Sequence, residues 1–265
     1  MKRTNRILTK IIYIAVFTAL CFIGTSIMIP FGSSKVHLGN FFCIFAGLLC
    51  GGLVGGLSGA IGMGLNDLVF GYGVTVAGRT FILKFLMGFV AGFLFRLLVK
   101  RKINGILLAW ISAILMLGFL SFEVTMYLMG KSGYSLLLII MTSILSLLLL
   151  LNAIFSFRLD HVLRSVSFAM IVAISVNVIG EFFLRILFAM MVGTTYEAAL
   201  ATSFAKLPAS LFTSVVTMIM VLPLFYPVYK ATRKVNQLND LDSIIKINVE
   251  EQEDKSTKTL YDKTK

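Results

Sequence analysis

Eight apolar runs, most of them near the length of a bilayer crossing, decide which solvent this chain can fold in. They cover about residues 7–29, 38–50, 53–70, 80–98, 106–129, 135–157, 166–192 and 204–229. A crossing helix needs about 20 apolar residues. The second and third runs, which turn at Gly51-Gly52, are shorter, so they must tilt or tuck between neighbours. Only 14% of residues are charged and mean hydropathy is +0.95, whereas a soluble domain carries about a quarter charged residues. The expected fold is all-α, a polytopic membrane helical bundle of about eight spans. Residues 1–235 form one transmembrane domain, followed by a polar cytoplasmic tail over 236–265.

The net charge of +12 is unevenly spread: the last thirty residues hold seven acids and five bases, leaving five acids and 19 bases before them. On a membrane protein such a surplus sets orientation and meets anionic lipid, and nothing here supports nucleic-acid binding. With the N-terminus inside, inner connections carry Arg96, Lys100, Arg101, Lys102, Arg158, Arg164, Lys230, Arg233 and Lys234. Outer loops keep Lys35, Arg79 and Lys131, with Lys206 at an edge. The positive-inside rule then places both termini in the cytoplasm and the chain in the cell membrane. The N-terminal run resembles a signal peptide in charge, but it lacks a small-x-small cleavage site and reaches Pro30, nearer a full span. Cys21, Cys43 and Cys50 lie in apolar runs without ligand spacing and read as small buried hydrophobes. No metal site and no cofactor is expected.

Ionisable groups inside membrane segments are costly and usually face a cavity or a partner. Six matter: Asp67 near the outer end of the third run, Arg79 opening the fourth, Lys84, Glu123 in the fifth, and Glu181 with Arg185 in the seventh. Lys84 lies roughly 7 Å deeper than Arg79 at 1.5 Å per residue. All six fall in the outer half, which suggests a polar pocket open to the outside over an apolar floor. Each residue also has a plainer reading. Arg79 and Lys84 can snorkel to the interface, and Glu181 with Arg185 can neutralise itself as an i,i+4 pair.

Gly51, Gly55 and Gly59 are spaced by four, as are Gly52 and Gly56, with Gly62 and Gly64 beyond. Small residues so spaced let helix backbones approach closely. No Lys-Ser or Lys-Thr follows, so this is not a phosphate loop. Gly56-Leu57-Ser58-Gly59 matches the serine motif of rhomboid-type intramembrane proteases, but that chemistry needs a histidine at membrane depth. His37 and His161 both fall in loops. A self-sufficient secondary transporter would place coupling residues near the membrane centre in repeated halves; no clear repeat is present. No catalytic residue is assigned.

Taken in order, the features over about residues 11–92 resemble the substrate-binding (S) components of energy-coupling factor (ECF) vitamin transporters. They are Ala15-x-x-x-Ala19 in a first helix ending through Thr25 to Pro30, His37-Leu38-Gly39-Asn40, the glycine hairpin, Asn66-Asp67, Gly71-Tyr72, and Thr80-Phe81-Ile82-Leu83-Lys84 with Met87-Gly88. Gly180-Glu181 through Tyr196, Leu207-Pro208-Ala209 and Leu222-Pro223-Leu224 are similar to the family's last two helices more loosely. The resemblance implies a six-helix membrane protein, not an enzyme, that binds a vitamin or precursor from outside. It implies partnership with a transmembrane coupling protein and two cytoplasmic ATPases, with toppling in the membrane to release the cargo. It puts Ala15 and Ala19 on the coupling protein and makes residues 30–38 a lid. Eight runs instead of six imply an extra helix pair, either the fifth and sixth or the last two. Glu123 with Tyr127 therefore competes with Glu181 for the ligand. The expected binding set is His37, Asn40, Asp67, Tyr72, Arg79, Lys84, Glu123, Tyr127, Glu181 and Tyr196. A flat polar heterocycle suits that mix, and the His37–Asn40 string is similar to members for pyridoxine-type or hydroxymethylpyrimidine ligands.

Overall fold

A computed structural model describes residues 2–31, 34–101, 105–130 and 136–232. The tail, Lys102, Lys131, Arg233 and Lys234 lie outside the described residues. Among the described residues there are eight helices and one small hairpin: α1 (Lys2–Ser26), β1 (Met28–Phe31), β2 (Ser34–His37), α2 (Gly39–Cys50), α3 (Gly52–Val69), α4 (Val74–Arg101), α5 (Gly105–Leu128), α6 (Leu136–Phe155), α7 (His161–Met191) and α8 (Tyr196–Thr232). Seven of the helices are long and apolar enough to cross a membrane. The eighth, α2, has 12 residues, about 18 Å at 1.5 Å per residue, short of a bilayer by itself; it is buried among its neighbours and runs from the hairpin towards Arg96 of α4.

Three boundaries differ from the expectation. The first helix stops at Ser26, not at Pro30, and the segment read as a polar loop is an antiparallel hairpin pairing Met28 with His37 and Phe31 with Ser34. Pro30 has no N–H to give a helix and biases Ile29 towards extended backbone, which an edge strand accepts. The fourth helix starts at Val74, so Arg79 sits inside it and not at its opening. The last helix starts at Tyr196, which puts Lys206 within a helix and not at a loop edge. Polar residues such as Glu197 and Lys206 lower the local hydropathy there without breaking the backbone. Pro208, Pro223 and Pro227 all lie inside α8; membrane helices tolerate proline where neighbours re-satisfy the freed carbonyls.

The centre of the bundle is α3, and its glycines explain why. A Cβ on Gly52 or Gly56 would come within 2.6 Å of the Phe89 carbonyl or 2.8 Å of the Phe85 carbonyl on α4. One on Gly62 would come within 2.5 Å of the Thr18 carbonyl on α1, and Gly55 and Gly59 press on Gly47 and Cys43 of α2. Backbones so close leave no room for side chains, and this is the packing reading of the small-residue repeat. Gly51, at φ 111°, makes the tight turn between α2 and α3. The Arg96 guanidinium of α4 donates to the Gly47 carbonyl at 3.2 Å, which also accepts the Gly51 N–H, and to the Leu49 carbonyl at 3.5 Å, tying the end of α2 to α4.

Around this centre α7 packs on α4, and α8 packs on α7, α2 and the hairpin. The α5–α6 pair sits to one side, packed on itself and on α7 and α8, where Ser167 donates to Asn152 at 2.6 Å. Large apolar side chains of α1 and α5, such as Ile11, Val16, Ile114 and Leu115, face outward, the arrangement a lipid solvent favours.

Candidate functional site

One face of α7 carries Asn177, Glu181 and Arg185, one turn apart each, and three elements bring polar groups to it. From α4, the Lys84 ammonium donates to Asn177 Oδ1 at 2.6 Å. From α8, Ser210 donates to Glu181 Oε2 at 2.9 Å. Arg185 closes a 2.9 Å ion pair with Glu181 Oε1. Because α7 and α8 run antiparallel, Lys206, one turn from Ser210, falls beside Arg185 and within electrostatic reach of it, of Arg79 and of Glu181. Arg79 in turn lies in the fields of Arg185, Glu181 and Asp67. Lys84 is 6% exposed and Arg185 8%.

Asp67, near the end of α3, accepts from Thr80 at 2.5 Å and pairs with Lys35 of β2 at 3.7 Å. Lys35 also stands over the Tyr72 ring, 3.9 Å from its centroid. The hairpin thus spans the end of the bundle. It is tied to α3 by this pair, to α1 by the Leu38 N–H on the Gly24 carbonyl at 2.9 Å, and to α8 by Phe31 stacked on Phe212 at 5.0 Å. His37 accepts the Gly39 N–H on Nδ1 at 3.2 Å, so the neutral ring carries its proton on Nε2. Burial first, then the Lys84 and Lys35 charges, hold its pKa well down, at about 3, against an opposing pull from Glu181. Asn40 is buried beside it, and its Oδ1 accepts no hydrogen bond among the described residues.

His37, Asp67, Arg79, Lys84 and Glu181 are therefore brought together, with Tyr72 at the edge through Lys35. Three expected residues are not. Glu123 is buried on α5 beside Thr142 of α6, and none of the cluster's charges acts on it. Tyr127 and Tyr196 are exposed, at 41% and 56%. Asn177, Ser210, Thr80, Lys35, Arg185 and Lys206 join the cluster without having been in the expected binding set. The first was legible as a polar residue one turn from Glu181; its neutrality hid it from a search for charges. Ser58 is fully buried and donates to the Ile14 carbonyl of α1 at 3.2 Å, a packing contact, while His37 lies in the hairpin and His161 at the start of α7. A groove of about 330 Å³ between α1, α2 and α8, lined by Tyr13, Phe17, Phe41, Phe45, Leu224 and Val228 among others, is apolar and offers nothing to a polar ligand. No group of three metal-ligating side chains occurs among the described residues.

Comparison with known proteins adds one match. The sequence model of the family described as ECF-type riboflavin transporter, S component, matches residues 6–163, more than half of the chain. That stretch runs from α1 through α6 and ends as α7 begins, so the α7 and α8 side chains of the cluster lie beyond it. No curated protein and no solved structure matches the chain. Polytopic helical architecture and the family match agree: the chain belongs to the ECF-type riboflavin transporter S-component family, and is a membrane-embedded substrate-binding subunit of a transporter, not an enzyme.

Proposed function

We propose that this chain captures a vitamin-like heterocycle from outside the cell at the Lys84–Asn177–Glu181 face of α4, α7 and α8. A coupling protein and two cytoplasmic ATPases would then drive its delivery inside. The observation that carries this is the gathering of polar side chains from α3, α4, α7, α8 and β2 at one end of an otherwise apolar bundle, beneath the hairpin. Buried polar groups so arranged match a ligand with both donors and acceptors. The basic residues of the opposite end support cytoplasmic termini and an outward-facing site. Ala15 and Ala19 are exposed on α1, and small side chains there would let a coupling-protein helix approach closely.

The family takes its name from riboflavin, and the His37–Asn40 string leans towards a pyridoxine-type or hydroxymethylpyrimidine ligand; all three are flat polar rings. In this reading Glu181 and not Glu123 faces the ligand, because Glu181 shares the cluster with Lys84, Ser210 and Arg185 while Glu123 lies apart from it beside Thr142, even though the family match takes in α5–α6. Two experiments test it. Co-expressed with a coupling protein and its ATPases, the wild-type chain assembles and Ala15→Trp does not; equal assembly of the two would sink the docking assignment. Mass spectrometry of the purified protein finds a retained heterocycle, and its absence from protein made in vitamin-replete cells counts against the binding assignment.

A further inference from the structure

We infer that the substrate carries an anionic group, a phosphate monoester or a carboxylate, held between Arg79, Arg185 and Lys206 at the outer end of the cluster. This rests on the reading above that the cluster is the substrate site, and goes beyond it by naming the substrate's charge.

Five cations, Lys35, Arg79, Lys84, Arg185 and Lys206, meet there, against two carboxylates, Asp67 and Glu181. The carboxylates are already engaged: Asp67 by Lys35 and Thr80, Glu181 by Arg185 and Ser210. Lys84 spends its donor on neutral Asn177. Arg79 and Lys206, both half-buried, have neither a hydrogen bond nor an ion pair among the described residues, and His37 is neutral. Arg185, more than nine-tenths buried, leaves its Nε without a partner although its Nη2 is bonded. Like charges this close, with an unused guanidinium donor, destabilise one another until an anion enters among them.

Geometry sorts the roles by depth. Along α7 the order is Asn177, Glu181, Arg185, and along α8 the matching order is Ser210 then Lys206, so Arg79, Arg185 and Lys206 lie outermost, with Glu181 and then the Lys84–Asn177 pair below. A substrate with a polar ring and a charged arm fits with the ring below and the arm above. Anionic lipid headgroups share the arm's chemistry and reach the same depth, so the test separates the two sources.

The test uses full-length protein in phosphatidylcholine nanodiscs. Melting-temperature shifts and dissociation constants are measured for riboflavin against riboflavin 5′-phosphate, pyridoxine against its 5′-phosphate, nicotinamide against nicotinate, and inorganic phosphate alone. In at least one pair the anionic member is expected to bind about tenfold or more tighter than its neutral partner. Arg79→Gln and Lys206→Gln should bring that ratio to about one, weakening the anionic member about tenfold more than the neutral one; a ratio that survives both substitutions overturns the assignment to these cations. Should the neutral member bind equally or better in every pair that binds, the anionic inference falls and the vitamin-binding reading stands. If inorganic phosphate binds and no organic member does, the anion site survives and the vitamin reading falls. Stabilisation by phosphatidylglycerol nanodiscs alone, with no soluble anion bound, assigns the cations to lipid and overturns the inference. No shift from any probe overturns both.

Discussion

Lys84 is the residue on which the site turns, because it is the deepest charge in the cluster and, among the described residues, its ammonium makes one hydrogen bond, to a neutral amide oxygen. Replacing it with methionine keeps the stem volume and removes a charge that burial disfavours. Asn177 loses a partner, a cost of about 1–3 kcal/mol, which the relief of charge burial offsets. Lys84→Met is therefore expected to fold and assemble normally while binding the retained ligand at least about tenfold more weakly; unchanged affinity would remove Lys84 from the site. His37 makes a second residue-scale prediction through pH. Its folded pKa, about 3, lies below the ordinary 6.5, so between those values the unfolded chain takes up a proton that the folded one does not. The stability it contributes is whole above pH 6.5 and is lost as pH falls towards 3. Asparagine keeps an acceptor for the Gly39 N–H without titrating. On acidification from pH 7.5 to 4.5 the melting temperature of wild type should drop further than that of His37→Asn.

Among the elements, α3 and the hairpin have opposite duties. The crossing of α3 with α4 leaves no room at Gly88, where an added Cβ would meet the Gly56 amide nitrogen at 2.6 Å. Gly88→Ala should destabilise by about 1–3 kcal/mol through forced separation of the helices. Gly118, on the outward side of α5, has nothing within 4 Å of the same added atom, and Gly118→Ala should leave the melting temperature level or raise it slightly. The hairpin instead holds the bundle end through few contacts, one being Phe31 on Phe212. Aromatic stacking of this kind contributes about 0.5–1.5 kcal/mol. Phe31→Ala is therefore expected to speed ligand release up to about tenfold in a filter-binding chase, with the fold intact.

For the molecule as a whole, orientation follows from where charge collects. Lys100 and Arg101 close α4 at the end opposite the hairpin, and the orientation proposed from the positive-inside rule, with that end in the cytoplasm, is open to test. In intact cells, a membrane-impermeant thiol reagent should label Thr75→Cys from outside and leave Lys100→Cys unlabelled until the membrane is opened. Cys21 and Cys43 are fully buried, whereas Cys50 is partly exposed, so the labelling is read in a Cys50→Ser background.

Much of this was legible in the linear chain. Apolar runs of crossing length, the glycine spacing of residues 51–64 and the asymmetry of Lys and Arg are local properties, and each depends only on what a bilayer tolerates. So the all-helical membrane class, the packing role of the glycines and the family resemblance could be read without coordinates. The membership of the polar cluster could not. Whether Glu181 or Glu123 meets Lys84 depends on which helix pair lies against α4, and that is settled by side-chain packing between segments about a hundred residues apart. The same holds for Asn177, Ser210 and Lys206, whose neighbours come from other helices. The hairpin in place of a loop, and a last helix two turns longer than its hydropathy suggests, are likewise tertiary. Pairing across β1 and β2, and neighbours that shelter a half-buried lysine, supply what local sequence alone does not.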